Sequence, residues 1–134
     1  MNDNMTWPSH FPPKCPPEKA ANLDGQIYRL ISGNFPKKKD FQSYCLQYPN
    51  RNWGGKTCQA CGLSVHTSLE DCLENYNRLK RRIPSLRKKI AVARGNNAMG
   101  KILNTPSKED SSHHTWWLPV ELEKPWELFE VVTF

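Results

Sequence analysis

Three cysteines and one histidine near the middle of the chain have a spacing that could bind zinc. They read C-x2-C-x4-H-x5-C, which is one residue longer at its end than a zinc knuckle, and they are Cys58, Cys61, His66 and Cys72. Zinc takes four such ligands tetrahedrally, and a basic chain with a knuckle would bind single-stranded nucleic acid. Zinc is therefore one alternative cofactor for this segment.

The helical pattern over the same residues argues against that zinc site. Ser68 is predicted to cap the clearest helix of the chain, with acidic residues in the first turn. The apolar stripe of this helix is Leu69, Cys72, Leu73, Tyr76, Leu79 and Ile83. Because Cys72 lies on the stripe, we expect it to pack in the core, and we expect Cys58 and Cys61 to be unpaired thiols.

The cysteine count points the same way. Five cysteines are an odd number, and with no export signal in the sequence a disulfide framework is not expected. A partial metal site that joins Cys58 and Cys61 to a distant His113 or His114 is the remaining metal alternative.

A second arrangement uses the segment before the helix and needs no metal. If residues 63–67 form a strand that leads into the capped helix, Ser64, His66 and Ser68 share one polar face at the helix N-terminus, where anions are favoured. A predicted strand at residues 26–31 carries Arg29, a side chain that is costly in a core and well suited to phosphate. His113 and the adjacent His114 lie beside two tryptophans that offer stacking surface. These features predict a cleft for a dinucleotide.

Two of these segments together resemble the ADP-ribosyltransferase superfamily. Residues 28–30 read YRL and residues 64–72 read SVHTSLEDC. In that superfamily an early strand offers a basic or histidine residue, and a later strand with Ser or Thr runs into a helix. The second segment is also similar to the VHLS-type strand of RNA 2'-phosphotransferases, which belong to the same group.

The resemblance implies a strongly bent, split β core that binds NAD in a cleft and transfers ADP-ribose to a macromolecule. The cofactor-binding residues that it implies are Tyr28, Arg29, Ser64, Ser68, His113 and His114, with Arg29 on the phosphates. The catalytic residues that it implies are His66 and Glu130, the latter on a late strand where it would orient a ribose hydroxyl. A member of the superfamily that binds NAD without catalysing a reaction would have the same sequence features. At single positions there are simpler alternatives: Arg29 would pair with a carboxylate, and Glu130 would face solvent.

Charge is distributed unevenly along the chain, whose formal net charge is +6. Residues 78–101 carry nine cations and no carboxylate, whereas residues 109–134 carry six carboxylates and one lysine. The basic block would attract nucleic acid or an acidic partner, unless the acidic segment neutralises it. Two further function classes therefore stay open: a non-enzymatic nucleic-acid-binding module, with or without zinc, and a small adaptor or inhibitor that binds an acidic protein.

The elements that must hold these residues predict one small domain. Residues 1–20 contain five of the 11 prolines and are expected to form an extended arm, and residues 21–134 are expected to form a single domain. Strand, helix, strand, helix and then several strands predict the α+β class, with a small bent or split antiparallel β core and two or three helices. Without an apolar run long enough for a membrane span or a signal peptide, we expect no membrane partner and a cytoplasmic location.

Overall fold

Seven strands and three α-helices make up the regular structure of residues 5–133, the part of the chain that this computed structural model describes. The strands are β1 (Ala21–Asn22), β2 (Gly25–Ile31), β3 (Leu63–Val65), β4 (Lys89–Gly95), β5 (Lys101–Asn104), β6 (His114–Trp117) and β7 (Glu130–Val131). The helices are α1 (Tyr44–Gln47), α2 (Thr57–Ala60) and α3 (Leu69–Arg82). Short 3-10 helices lie at Lys38–Phe41, Gly54–Lys56, Asn97–Met99 and Pro125–Leu128.

Within residues 5–133 the strands form two antiparallel sheets that are joined at one point. One sheet has the order β1-β5-β6-β3 and the other has the order β2-β4-β7. The joint is a bridge in which the backbone N–H groups of Tyr28 and His66 each donate to the other residue's carbonyl, at 2.8 and 3.0 Å. The α+β class and the split antiparallel core that the sequence predicts are confirmed.

Apolar residues from both sheets meet in one core. Ile27 and Ile31 of β2 are fully buried, as are Val65 of β3 and Trp116 of β6. The indole N–H of Trp116 donates to the carbonyl of Met99 at 2.7 Å, so the polar end of this large side chain keeps a hydrogen bond after it leaves water. This core holds the strands that carry the candidate site in a fixed register.

The helix predicted after Ser68 is confirmed as α3. The Ser68 hydroxyl accepts a hydrogen bond from the backbone N–H of Asp71 at 3.1 Å, which satisfies one of the free donors of the first turn. Cys72 is fully buried in the apolar stripe, as expected. The helix stops before Pro84, which cannot continue it, and Ile83 is half exposed there.

The proline-rich arm predicted for residues 1–20 is fastened to the domain over residues 5–20, and its first four residues lie outside the part of the chain that the structure describes. A disulfide joins Cys15 to Cys58 of α2, and Trp7 and Phe11 pack with Cys15 against Trp117. The expectation of no disulfide was wrong, because an odd cysteine count does not exclude a pair that tertiary folding brings together. The bond closes a separation of 43 residues, which stabilises the fold by about 4 kcal/mol in the loop-entropy view. Among residues 5–133 no helix has the length and apolar character to cross a membrane.

Candidate functional site

A cleft of about 620 Å³ lies where β2, β3 and β6 approach α1 and α2. Its lining combines strand residues with side chains from the 3-10 helix Lys38–Phe41, from α1 and from the loop before α2. The volume falls within the range of small-molecule and cofactor sites, which are few in any protein. This cleft is the candidate functional site.

A chain of hydrogen bonds runs from Ser64 in the cleft into the protein. Ser64, on the exposed side of β3, places its hydroxyl 2.8 Å from Nε2 of His113. The other ring nitrogen of His113 lies 3.0 Å from the carbonyl oxygen of Thr105 and 2.9 Å from its hydroxyl. That hydroxyl in turn is 2.8 Å from the hydroxyl of Thr115, which also lines the cleft. His113 is thus oriented from behind while it faces Ser64.

These contacts assign the protonation of His113. Because a carbonyl oxygen only accepts, the hydrogen sits on Nδ1 and donates to Thr105, which leaves Nε2 to accept from the Ser64 hydroxyl. Burial lowers the pKa of His113 below its ordinary value of 6.5, and the imidazoles of His66 and His114 add to this against the opposing effect of the Thr105 carbonyl and Asp110. His113 is therefore neutral at pH 7 and able to take a proton from a hydroxyl in the cleft.

Arg29 connects two sides of the cleft through its guanidinium. Its Nε donates to the carbonyl of Asp40 at 2.8 Å, and one terminal nitrogen donates to the carbonyl of Ser64 at 2.6 Å. Burial lowers the pKa of Arg29 to about 10, so the side chain is still charged at neutral pH. Within the described residues these are the hydrogen bonds that its five donors make, and the remaining donors can bind an anion.

The charges that line the cleft are mostly positive. Arg29, Lys39, Lys56 and Lys88 stand against a single lining carboxylate, Asp40. Burial alone would raise the pKa of Asp40, but hydrogen bonds from Ser32 and from the Lys37 backbone lower it below its ordinary value. Because both carboxylate oxygens accept these internal bonds, Asp40 holds the loop after β2 in place. The cleft as a whole therefore favours an anion.

Aromatic rings form one wall of the cleft. Tyr44 of α1 stacks on Trp53, with ring centroids 5.6 Å apart and planes 22° from parallel. The guanidinium of Arg51 covers Trp53 at 4.5 Å from its ring centre. Tyr44 is 54% exposed and Trp53 is partly exposed, so the pair offers ring surface to a ligand. Such a wall suits a heteroaromatic ring that stacks.

The structure brings together three of the residues singled out from the sequence. Arg29, Ser64 and His113 line the cleft. Five others do not line it, and they are Tyr28, His66, Ser68, His114 and Glu130.

His66 does not have the position predicted for it on the polar face with Ser64, because the alternation of residues 63–67 does not continue past β3. Val65 is the last residue that pairs with β6, and the next residue bridges to β2 instead. The change of partner turns His66 inward, where it is 3% exposed and its Nε2 lies 2.8 Å from Oδ2 of Asp110. His66 therefore joins β3 to the loop at residues 105–112 and does not face a ligand in the cleft.

The other four residues have different local roles. The Tyr28 hydroxyl donates to Gln26 at 2.7 Å, on the exposed part of β2. Ser68 is the cap of α3, and Nδ1 of His114 lies 2.8 Å from the carbonyl of Ser112. Glu130 is exposed on β7, which pairs with β4 and so lies two strands away from the joint between the sheets. The role that the resemblance implies for Glu130 in a cleft is therefore not matched by its position.

The alternative zinc ligands are not assembled either. Cys58 is bonded to Cys15, and the thiol of Cys61 lies against that of Cys45 at 2.6 Å. Cys72 is buried in the stripe of α3. Between residues 5 and 133 no group of three or more His, Cys, Asp or Glu side chains is placed so that it could hold a metal ion. The partial site that would join Cys58 and Cys61 to His113 or His114 is therefore not assembled in this part of the chain.

Sequence reasoning missed several residues of the cleft. The stacked pair Tyr44 and Trp53 was not singled out, nor were the cleft lysines Lys39 and Lys56 or the threonine behind His113. The sequence signal for Trp53 was its position in a polar loop near Arg51, because a tryptophan that is exposed in such a loop can contact a ligand.

Comparison of the chain with protein-family models, with curated proteins and with solved structures found no match. The function is therefore inferred from the cleft itself.

Proposed function

We propose that the cleft binds NAD and that the protein transfers ADP-ribose from it to a macromolecule. The observation that carries this proposal is the convergence of Arg29, Ser64 and His113 in one cleft of positive charge. Arg29 and Ser64 come from the two segments of the superfamily resemblance, and His113 lies directly before β6. Ser64 and His113 are 49 positions apart in the sequence.

The lining fits the chemical parts of NAD. Two phosphates need cations, which Arg29, Lys39 and Lys56 supply, and charge-assisted hydrogen bonds from a guanidinium are among the strongest that a phosphate receives. A nicotinamide or adenine ring needs a flat apolar surface, which Tyr44 and Trp53 supply. The volume of about 620 Å³ is large enough for a ligand of this class.

The proposed reaction assigns the proton to His113. NAD supplies an ADP-ribosyl group whose bond to nicotinamide breaks as the acceptor oxygen bonds to the same ribose carbon. The acceptor hydroxyl gives its proton to Nε2 of His113, which burial keeps neutral and which the Thr105 carbonyl holds in the Nδ1–H tautomer. Ser64, already hydrogen-bonded to that nitrogen, orients the hydroxyl groups around it. His113 thus replaces Glu130 and His66 as the proposed catalytic residue.

The test compares two neighbouring histidines. His113→Gln should keep NAD affinity within a few-fold and lower the rate of nicotinamide release by about 100-fold or more, the usual contribution of a general base. His114→Gln is the matched control, because His114 does not line the cleft, and it should behave as the wild type. Calorimetry with NAD and chromatographic measurement of nicotinamide are the assays. Absence of NAD binding by the wild type would refute the proposal.

Nucleic acid is the proposed acceptor, and the position of Lys88 in the cleft favours it. This lysine belongs to the basic block at residues 78–101 and also lines the cleft, so the block reaches the candidate site. Arg81 and Arg87 of the same block are exposed. We expect binding of single-stranded RNA or DNA that weakens steeply as salt rises. Undetectable binding at low salt, measured by fluorescence anisotropy, would eliminate nucleic acid as the acceptor.

A cytoplasmic location stays a prediction from the sequence. The Cys15–Cys58 disulfide counts against it, because disulfides persist in oxidising compartments and are rare in the cytosol. Counting the free thiols of the protein as isolated from its own cells would decide between the cytoplasm and an oxidising compartment.

A further inference from the structure

Two cysteines beside the cleft have sulfur atoms closer together than non-bonded sulfur atoms normally approach. The thiols of Cys45 in α1 and Cys61 at the end of α2 lie 2.6 Å apart, across a sequence separation of 16. Sulfur atoms in a disulfide bond are about 2.05 Å apart, so the two thiols need only a small movement to reach bonding distance. Cys72, the third free cysteine of the described chain, is fully buried in α3.

The same turn of α2 already carries one disulfide. Cys58, three residues before Cys61, is bonded to Cys15 of the arm. An environment in which that bond persists is one in which a neighbouring pair of thiols at this distance also oxidises. The segment thus has two cysteine pairs, each of which joins α2 to a different part of the chain.

The helix that a second bond would hold is weakly anchored. None of the four residues of α1 is buried, and Tyr44 and Leu46 are each 54% exposed. Besides the cap by Ser43 and the stacking of Tyr44 on Trp53, α1 is held to α2 by the Cys45 thiol, which contacts the Cys61 thiol and the carbonyl of Thr57. Because Cys61 lies two residues before Leu63 of β3, a bond there would tie the aromatic wall to the floor of the cleft.

We propose that Cys45 and Cys61 form a reversible disulfide bond that fixes α1, and with it Tyr44, against the floor of the cleft. This inference goes beyond the proposed function and does not depend on it. The oxidant is a small-molecule disulfide such as oxidised glutathione. Cys45 gives up its proton and attacks one sulfur of that disulfide, which releases one glutathione thiolate. Cys61 then loses its proton and attacks Sγ of Cys45, which releases the second.

The order of the two steps follows from exposure. Cys45 is partly exposed, whereas Cys61 is 4% exposed and cannot meet a dissolved oxidant directly. Burial raises the pKa of Cys61 to about 12, with the Cys45 thiol adding to the effect, so Cys61 does not react first. Cys45 is the entry point and Cys61 resolves the mixed disulfide.

Thiol counting tests the bond on the whole protein. After incubation with oxidised glutathione and unfolding in denaturant, the five cysteines less two pairs should leave one reactive thiol, that of Cys72. The isosteric variant Cys45→Ser should show two. Three thiols in the oxidised wild type would overturn the proposal, because only the Cys15–Cys58 bond would then be present.

A tryptic map under non-reducing conditions identifies the partners. Cleavage after lysine and arginine separates residues 15–19, 40–51 and 57–78, which hold Cys15, Cys45 and the three remaining cysteines. All three peptides should run as one species that reduction splits, and Cys61→Ser should release peptide 40–51. If that peptide stayed attached in Cys61→Ser, or ran free in the oxidised wild type, the assignment would be wrong.

Hydrogen exchange tests the effect on α1. Closing a loop of this length should slow the opening of residues 44–48 by roughly 100-fold in the oxidised protein relative to Cys45→Ser. Amides of α3, which lie outside the loop, serve as the internal control and should exchange equally in both. Equal exchange of residues 44–48 in both proteins would overturn the proposal that the bond fixes the cleft wall.

Discussion

Removing two cleft lysines should weaken binding of NAD without unfolding the protein. Lys39 and Lys56 both line the cleft and are exposed, so glutamine at both positions leaves the core intact. A phosphate charge about 6 Å from an ammonium group, in the high effective dielectric of a partly exposed site, is worth about 1 kcal/mol. For the pair the loss is about 2 kcal/mol, which corresponds to a roughly 30-fold higher Kd.

The matched control carries the same change of net charge elsewhere. Lys19 and Lys108 are exposed and do not line the cleft, and Lys19→Gln with Lys108→Gln lowers the net charge equally. Calorimetric titration with NAD at low and high salt should show the loss of affinity only in the cleft variant, together with a weaker salt dependence. The melting temperatures of both variants should match that of the wild type. If the two variants bind NAD within about twofold of each other, the cleft lysines do not contact the phosphates, and the charge argument for the site fails.

Two further predictions concern titratable groups. Burial lowers the pKa of His113 below 6.5, so this base is neutral at pH 7 and gains its proton only at more acidic pH. The kcat/KM for nicotinamide release should therefore be level near pH 7 and fall only below pH 6.5. A kcat/KM that falls between pH 8 and pH 7 would contradict this. Asp110→Asn should lower the free energy of unfolding in urea by about 1.5 kcal/mol at pH 7, because a neutral amide replaces the charged carboxylate that accepts a buried hydrogen bond from His66. Burial tends to raise the pKa of Asp110, but hydrogen bonds from His66 and Ser112 bring it below its ordinary value of 3.8. The difference in unfolding free energy between Asp110→Asn and the wild type should therefore persist above that pH and shrink as the pH falls below it. A difference that grows on acidification would contradict the assignment.

The side chains of β3 show where prediction from the sequence stops. Alternation correctly puts Leu63 and Val65 in the core and Ser64 at the surface, because successive side chains of one strand point to opposite faces. The same rule fails at His66, because the strand changes its pairing partner there. Which partner a residue takes depends on the packing of the whole sheet, and no local pattern encodes it.

The local elements, and the types of residue that could act, are encoded in short stretches of the sequence. The cap at Ser68, the apolar stripe of α3, and the strands that carry Arg29 and Ser64 follow from hydrogen-bonding and burial rules that operate over a few residues. Which of those residues come into contact depends on how the two sheets pack. The hydrogen bond from Ser64 to His113 and the disulfide from Cys15 to Cys58 join residues 49 and 43 positions apart. Such contacts depend on strand register, which is set when the apolar faces of both sheets are buried together.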